Sequence, residues 1–145
     1  MDKNIDKLIS LSMQISKIMS QQSDFSIEEK AATILQYHVL SFLHEQPQAK
    51  LSAVAIYLHS SLSSTTQLIE RMYKAGLVTR QQDKKDRRIT HLSLTKNGVA
   101  KLNQLQELRH KKMKNLLSHI PEKDIQELIR IQETLVNNLK ENVTL

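Results

Sequence analysis

Apolar residues recur at helical spacing along most of the chain. Ile5, Leu8, Ile9, Met13, Ile15, Ile18 and Met19 form one broad face, which predicts a helix over residues 5–19. Gln21 to Phe25 break the pattern. Ser26 then offers an N-cap for a second helix, with Glu28 and Glu29 in the first turn facing its positive end. Ala31, Ile34, Leu35, Val39, Leu40 and Leu43 carry that helix's apolar face, and Pro47 ends it near Gln46. A short helical stretch follows over 51–58, with Leu51, Val54, Ala55 and Leu58 on one side. After the polar break His59–Ser61, Ser61 caps another helix, whose expected buried face is Leu62, Leu68, Ile69 and Met72. Gly76 directly follows Ala75, as a helix-ending glycine does.

The period then changes from helix to strand. Leu77–Arg80 and Ile89–Leu94 are rich in β-branched residues, and the second alternates apolar with polar. The wholly polar segment Gln81–Arg88 lies between them, so the pattern predicts a β-hairpin with a charged tip. Thr95 caps the next helix, which carries Val99, Leu102, Leu105, Leu108, Met113, Leu116 and Leu117 and ends near His119. Pro121 suits the first turn of a last helix bearing Ile125, Leu128, Ile129, Leu135, Val136 and Leu139. These two helices, with residues 1–20, offer more apolar face than a small central module covers. A second copy of the chain is the simplest partner for it.

Composition sharpens this picture at a few points. A length of 145 residues suits one domain. With two Gly, two Pro and 3% aromatics, the chain lacks the turn and strand residues of an all-β fold. It has no Cys, which removes disulfides, thiolate metal sites, thiol switches and Cys nucleophiles together. The first residues carry no apolar run of signal-peptide length, and no window approaches a membrane span, so the expected location is the cytoplasm, without a membrane partner. The net charge of +6 is concentrated: seven Lys or Arg and two acids fall between Arg71 and His91. Such a segment can be an electrostatic footprint for nucleic acid.

The order helix, polar turn, helix, basic hairpin is a physical solution to reading duplex DNA. A helix fits the major groove, a second braces it, and a hairpin places cations on phosphates or in the narrow minor groove. The candidate recognition helix is Leu62–Tyr73. Ser63, Ser64, Thr66 and Gln67 are its outward donor–acceptor side chains, with Arg71 one turn beyond Gln67 and Ser61 at its start. Ser63–Thr66 are poor helix formers, so helix stability does not explain them.

Three segments carry a resemblance. Ala75-Gly76-Leu77-Val78-Thr79-Arg80, Asp83-Lys84-Lys85-Asp86-Arg87-Arg88 and Leu92-Ser93-Leu94-Thr95-Lys96-Asn97-Gly98 resemble the wing signature of MarR-family regulators, in its order and spacing. The resemblance implies a mainly α fold with a small β-hairpin wing, an α+β winged helix-turn-helix. It implies one domain over 1–145, with a DNA-binding region at 30–98 and a helical dimerisation region from both termini, 1–25 and 100–145. It implies a homodimeric, sequence-specific double-stranded DNA-binding regulator, a repressor at a pseudo-palindromic operator relieved by a small-molecule effector. Arg88 is assigned to the wing tip in the minor groove, Asp86 to bracing the wing by a salt bridge, and Lys84, Lys85 and Arg87 to phosphates. Ser61, Ser63, Ser64, Thr66, Gln67 and Arg71 complete the DNA-binding set. Thr65 departs from the family, which favours an apolar residue there. Ile9, Met13 and His38 are the effector-pocket candidates, although core packing is the plainer expectation for Ile9 and Met13.

Other chemistry is set aside. No two of the six His (38, 44, 59, 91, 110, 119) are three or four apart, so no helical metal pair arises, and neither a metal nor a cofactor is expected. No glycine-rich phosphate loop, His-Glu-x-x-His or Gly-x-Ser-x-Gly is present, which argues against an enzyme. The alternative is a helical adaptor or anti-regulator that keeps the fold but binds protein rather than DNA. The basic hairpin beside a Ser/Thr-rich helix favours DNA.

Overall fold

A computed structural model of the chain describes residues 2–21 and 27–143. The elements are α1 (Asp2–Gln21), α2 (Ile27–Glu45), β1 (Ala49–Lys50), α3 (Leu51–Tyr57), α4 (Leu62–Lys74), β2 (Val78–Gln82), β3 (Thr90–Leu94), α5 (Lys96–Leu117) and α6 (Glu122–Val143). The expected cap at Ser26 lies outside the described residues. The fold is mostly helical with one small antiparallel sheet. That sheet has three strands in the order β1-β3-β2, where the sequence pattern predicts only the β2–β3 hairpin. β1 is two residues long, too short to show a strand period, and it pairs Ala49 with Leu92 and Lys50 with His91.

The chain divides into two compact units, Met1–Val99 and Ala100–Leu145. In the first, among the described residues, the fully buried large apolar side chains are Val39, Leu40 and Leu43 of α2, Val54 of α3, Ile69 and Met72 of α4, Val78 of β2 and Leu92 of β3. Each comes from the apolar face its own element's periodicity marks. Two positions of α4 depart from expectation. Leu62 is 55% exposed and is not part of the buried face, because it stands at the first helical position, before the helix meets the core. Thr65, one turn before Leu68 and Ile69, is the buried one, at 1% exposure. Its hydroxyl donates to the Ser61 carbonyl (2.9 Å), so burial leaves no polar group unmatched.

The turn after α4 fixes where the hairpin leaves the core. Ala75 ends the helix and Gly76 follows at φ 72°, in the left-handed region. The Gly76 amide donates to the Tyr73 carbonyl (2.9 Å) and the Leu77 amide to the Met72 carbonyl (2.9 Å), which closes a Schellman motif. The Leu77 carbonyl accepts from the Thr95 amide (3.1 Å), and the Thr95 hydroxyl donates to the Gly76 carbonyl (2.6 Å). Thr95 also caps α5, accepting from the Gly98 amide (2.9 Å). Both ends of the hairpin are therefore tied to a single turn.

In the second unit α6 begins after Pro121, whose carbonyl accepts from the Asp124 and Ile125 amides (2.9 and 3.1 Å). Large apolar side chains stand exposed on α1 (among them Leu8, Ile9 and Met13), on α5 (Leu108, Met113, Leu116) and on α6 (Leu135, Val136, Leu139). Ile9 and Met13 are thus surface residues of the single chain, not core.

Candidate nucleic-acid interface

The candidate recognition helix α4 presents its polar face because Thr65, Leu68, Ile69 and Met72 point the opposite face inward. Ser61 precedes it in an extended conformation and accepts from the Ser64 amide (3.1 Å), satisfying one of the free donors of the first turn. The Ser61 hydroxyl proton goes to the Ser64 Oγ (2.9 Å), and the Thr66 hydroxyl donates to the Leu62 carbonyl (2.7 Å). The Ser61 and Thr66 hydroxyl protons are thus used within the helix, which leaves those two oxygens chiefly as acceptors. Ser63, Gln67 and Arg71 lie four residues apart along one exposed line of the helix.

A clamp that the sequence reading missed joins this helix to the hairpin. Glu70 forms ion pairs with Arg80 of β2 and with Lys74 (3.8 Å). The Arg80 guanidinium also lies 4.1 Å from the centroid of the Tyr73 ring. Glu70, an acid on the outward side of α4, is thereby neutralised where a phosphate would be repelled.

Two carboxylates build the hairpin tip. Asp83 Oδ1 accepts from the Lys85 and Asp86 amides (2.8 and 3.0 Å). Asp83 Oδ2 meets His91 Nε2 at 3.0 Å, and His91 Nδ1 meets the Gln48 carbonyl at 3.0 Å. Asp86 accepts from the Arg88 amide (3.0 Å) and from Arg88 Nε and Nη2 (3.1 and 3.2 Å). The Asp86 amide, and next the His91 ring, pull the Asp83 carboxyl down to about 2. Asp86 is held below the usual carboxylate range first by the Arg88 side chain. Both acids stay ionised and hold the turn of the tip through the backbone amides they accept from. The Arg88 side chain is 91% exposed despite its ion pair. Lys84, Lys85 and Arg87 are exposed and, among the described residues, have no carboxylate partner; the same is true of Arg71. The first Asp of the Asp-x-x-Asp-x-Arg segment was the available signal for Asp83, since a side chain of this type readily caps the amides two and three residues on.

The effector-pocket candidates are not brought together. Ile9 and Met13 line a shallow groove on α1 with Asp6, Ser10, Gln14 and Lys17, and His38 is not part of it. His38 lies instead in an aromatic cluster, edge-on to Tyr37 (5.8 Å) and Tyr57 (6.4 Å), while Tyr57 stacks on Phe42 (4.5 Å). Among the described residues no three His, Asp or Glu side chains cluster as metal ligands. No helix among them is long and apolar enough to cross a membrane.

Comparisons with known proteins place this geometry. The family model described as MarR family matches residues 32–90, the stretch from α2 to the hairpin. The HTH-type transcriptional repressor MdtR of Bacillus subtilis is 30% identical over 138 residues, covering 92% of this chain and 88% of that protein. The repressor IacR of Pseudomonas putida is 26% identical over 104 residues, which cover 72% of this chain; the match spans 62% of the length of IacR. Among solved structures, the YusO protein of Bacillus subtilis superposes with a TM-score of 0.75 at 28% identity, over 91% of this chain and 93% of that one. A mutant of S. aureus MepR bound to an oligodeoxyribonucleotide shares the fold, with a TM-score of 0.62 at 22% identity over 91% and 97% of the two chains.

Proposed function

The chain belongs to the MarR family of transcriptional regulators, and from that premise we propose that it is a repressor that binds a pseudo-palindromic operator in double-stranded DNA as a homodimer and is released by a small-molecule effector. The observation that carries the DNA reading is one juxtaposition. α4 turns Ser63, Gln67 and Arg71 outward on the same module whose hairpin tip exposes Lys84, Lys85, Arg87 and Arg88. An adaptor that binds protein has no use for that pairing. The repressor names of MdtR and IacR, and the oligonucleotide held by MepR, agree with it.

Residues 30–98 act as the DNA-binding region. Residues 1–25 and 100–145 form the dimerisation region, where the exposed apolar side chains of α1, α5 and α6 meet their counterparts in a second copy. A two-fold dimer presents two equivalent recognition helices, so the operator is an inverted repeat with half-site centres roughly 10 bp apart, one helical turn. The protein works in the cytoplasm, where that DNA is. Effector release rests on family membership; the groove lined by Ile9 and Met13 does not include His38.

Arg88 and Gln67 divide the labour. Arg88 reads electrostatic potential and groove shape, while Gln67 reads a base edge. Binding to the chain's own upstream DNA, measured at several salt concentrations on cognate and scrambled sequence, tests the assignment. Arg88→Ala weakens binding and lowers the log–log salt slope by about 0.9 per lost contact, twice over in a dimer. Gln67→Ala removes roughly 1–3 kcal/mol of discrimination at one base pair per half-site and leaves the salt slope nearly unchanged. An Arg88→Ala protein with unaltered affinity and slope refutes the wing, and the adaptor reading then replaces it.

A further inference from the structure

His91 holds an arrangement that the DNA-contacting set does not use. Its Nδ1 faces the Gln48 carbonyl and its Nε2 the Asp83 carboxylate, each at 3.0 Å. A carbonyl and an ionised carboxylate can only accept. A neutral imidazole carries one N–H and can satisfy one of them, whereas the imidazolium donates to both. We propose that His91 is a positioning residue for the wing, tying the hairpin tip to the turn between α2 and β1 only when both ring nitrogens carry protons. The consequence for DNA affinity rests on the function proposed above; the clamp itself does not.

The surroundings fit this role. Gln48 stands at φ 61°, a left-handed conformation uncommon for a non-glycine residue. Its carbonyl is aimed at the His91 ring. Asp83 sits at the other end, and the same carboxylate organises the Lys85 and Asp86 amides of the tip. The chain thus runs from the Gln48 turn through one ring to the segment that displays Lys84, Lys85 and Arg87.

Among the described residues, the charges felt at the ring are Asp83, which favours the proton, and Lys50 of β1, opposite His91 in register, which opposes it. β2 places neutral Gln81 opposite the ring, and α2, which also packs on β3, adds no charge felt there. The ring and the carboxylate keep 27% and 30% side-chain exposure, so protons reach them without unfolding. The Gln48 carbonyl first, and Asp83 next, raise the His91 pKa above its ordinary 6.5. The clamp is therefore complete below about pH 6.5 and opens as pH rises through the raised value.

The experiment uses the full chain. Ring 15N shifts of His91, followed by NMR without DNA, should show a titration midpoint above that of an ordinary histidine and two N–H groups below it. Asp83→Asn should lower the midpoint. A midpoint at or below the ordinary value, or one that Asp83→Asn does not move, overturns the clamp. Anisotropy with the chain's own upstream DNA then reads the consequence. Wild-type affinity should fall between about pH 6 and pH 8.5, while His91→Gln stays flat near the weaker limit with an unchanged salt slope. A His91→Gln profile that still follows wild type overturns the positioning role. A salt slope reduced by about 0.9 per wing would mean that the ring touches phosphate directly, and overturns it as well. Absence of binding by wild type at every pH defeats the DNA reading instead, and the NMR titration still decides the clamp.

Discussion

Gly98 and Gly76 invite the same substitution and should respond to it differently. Gly98 is the third residue of α5, inside a helical turn, where Gly→Ala normally favours the helix by up to about 1 kcal/mol. Here a Cβ would stand 2.1 Å from the Leu77 carbonyl oxygen and 3.1 Å from its carbon. An unstrained non-bonded contact needs roughly 3.5 Å, so helix and turn must part by more than about 1 Å. That oxygen accepts from the Thr95 amide at 3.1 Å, and such a displacement breaks the bond. An unmade hydrogen bond costs about 1–3 kcal/mol, and overpacking a further 1–3. Subtracting the gain in helix propensity leaves a loss of roughly 1–5 kcal/mol, about 3 at the centre of that range. Gly76 presents the opposite case, with no atom within 4 Å of its would-be Cβ but a φ of 72°. Its Ala variant should lose only the left-handed penalty of about 1–2 kcal/mol, and Gly76→Asn less. Urea unfolding at matched protein concentration, followed by far-UV circular dichroism, gives each difference. If Gly98→Ala proves as stable as wild type, or costs less than Gly76→Ala, the close approach of α5 to Leu77 is wrong.

Three further outcomes are expected. Ser61→Ala removes the N-cap of α4 and should lower stability by about 1 kcal/mol, while Ser63→Ala, two residues on and without a capping bond, should change thermal unfolding little. Arg80→Met removes the Glu70 ion pair and the Tyr73 contact together; stability should fall by about 1 kcal/mol, and DNA affinity should fall too because Glu70 is left bare, with Glu70→Gln in the same chain restoring affinity in an anisotropy titration. Asp83, drawn down to about 2 from 3.8, contributes stability that is present above pH 3.8 and lost as pH falls towards 2. Asp83→Asn should flatten that acid limb in thermal melts run across the range.

Signals that act within a turn of helix or along one strand were legible from the chain alone. The apolar faces of α2 to α4, the caps at Ser61 and Thr95, the glycine stop at Gly76 and the charged hairpin tip each follow from residues a few positions apart. Family membership was equally local, since the wing segments are contiguous. The tertiary structure decided whatever joins residues far apart in sequence. His91 meets Gln48 across 43 positions, and Arg80 meets Glu70 and Tyr73 only because the Schellman turn folds β2 back on α4. β1 exists by pairing with β3 and has no period of its own. Burial was decided in the same way: Thr65, polar by composition, is inside because it stands on the face of α4 that carries Leu68, Ile69 and Met72, with its hydroxyl satisfied by the Ser61 carbonyl, while Leu62, apolar, is outside because it precedes the packed turns of α4. Periodicity reports which face of an element is apolar. Where that face ends, and which distant polar groups meet beside it, depends on how the elements are brought together, and one element's sequence does not contain that.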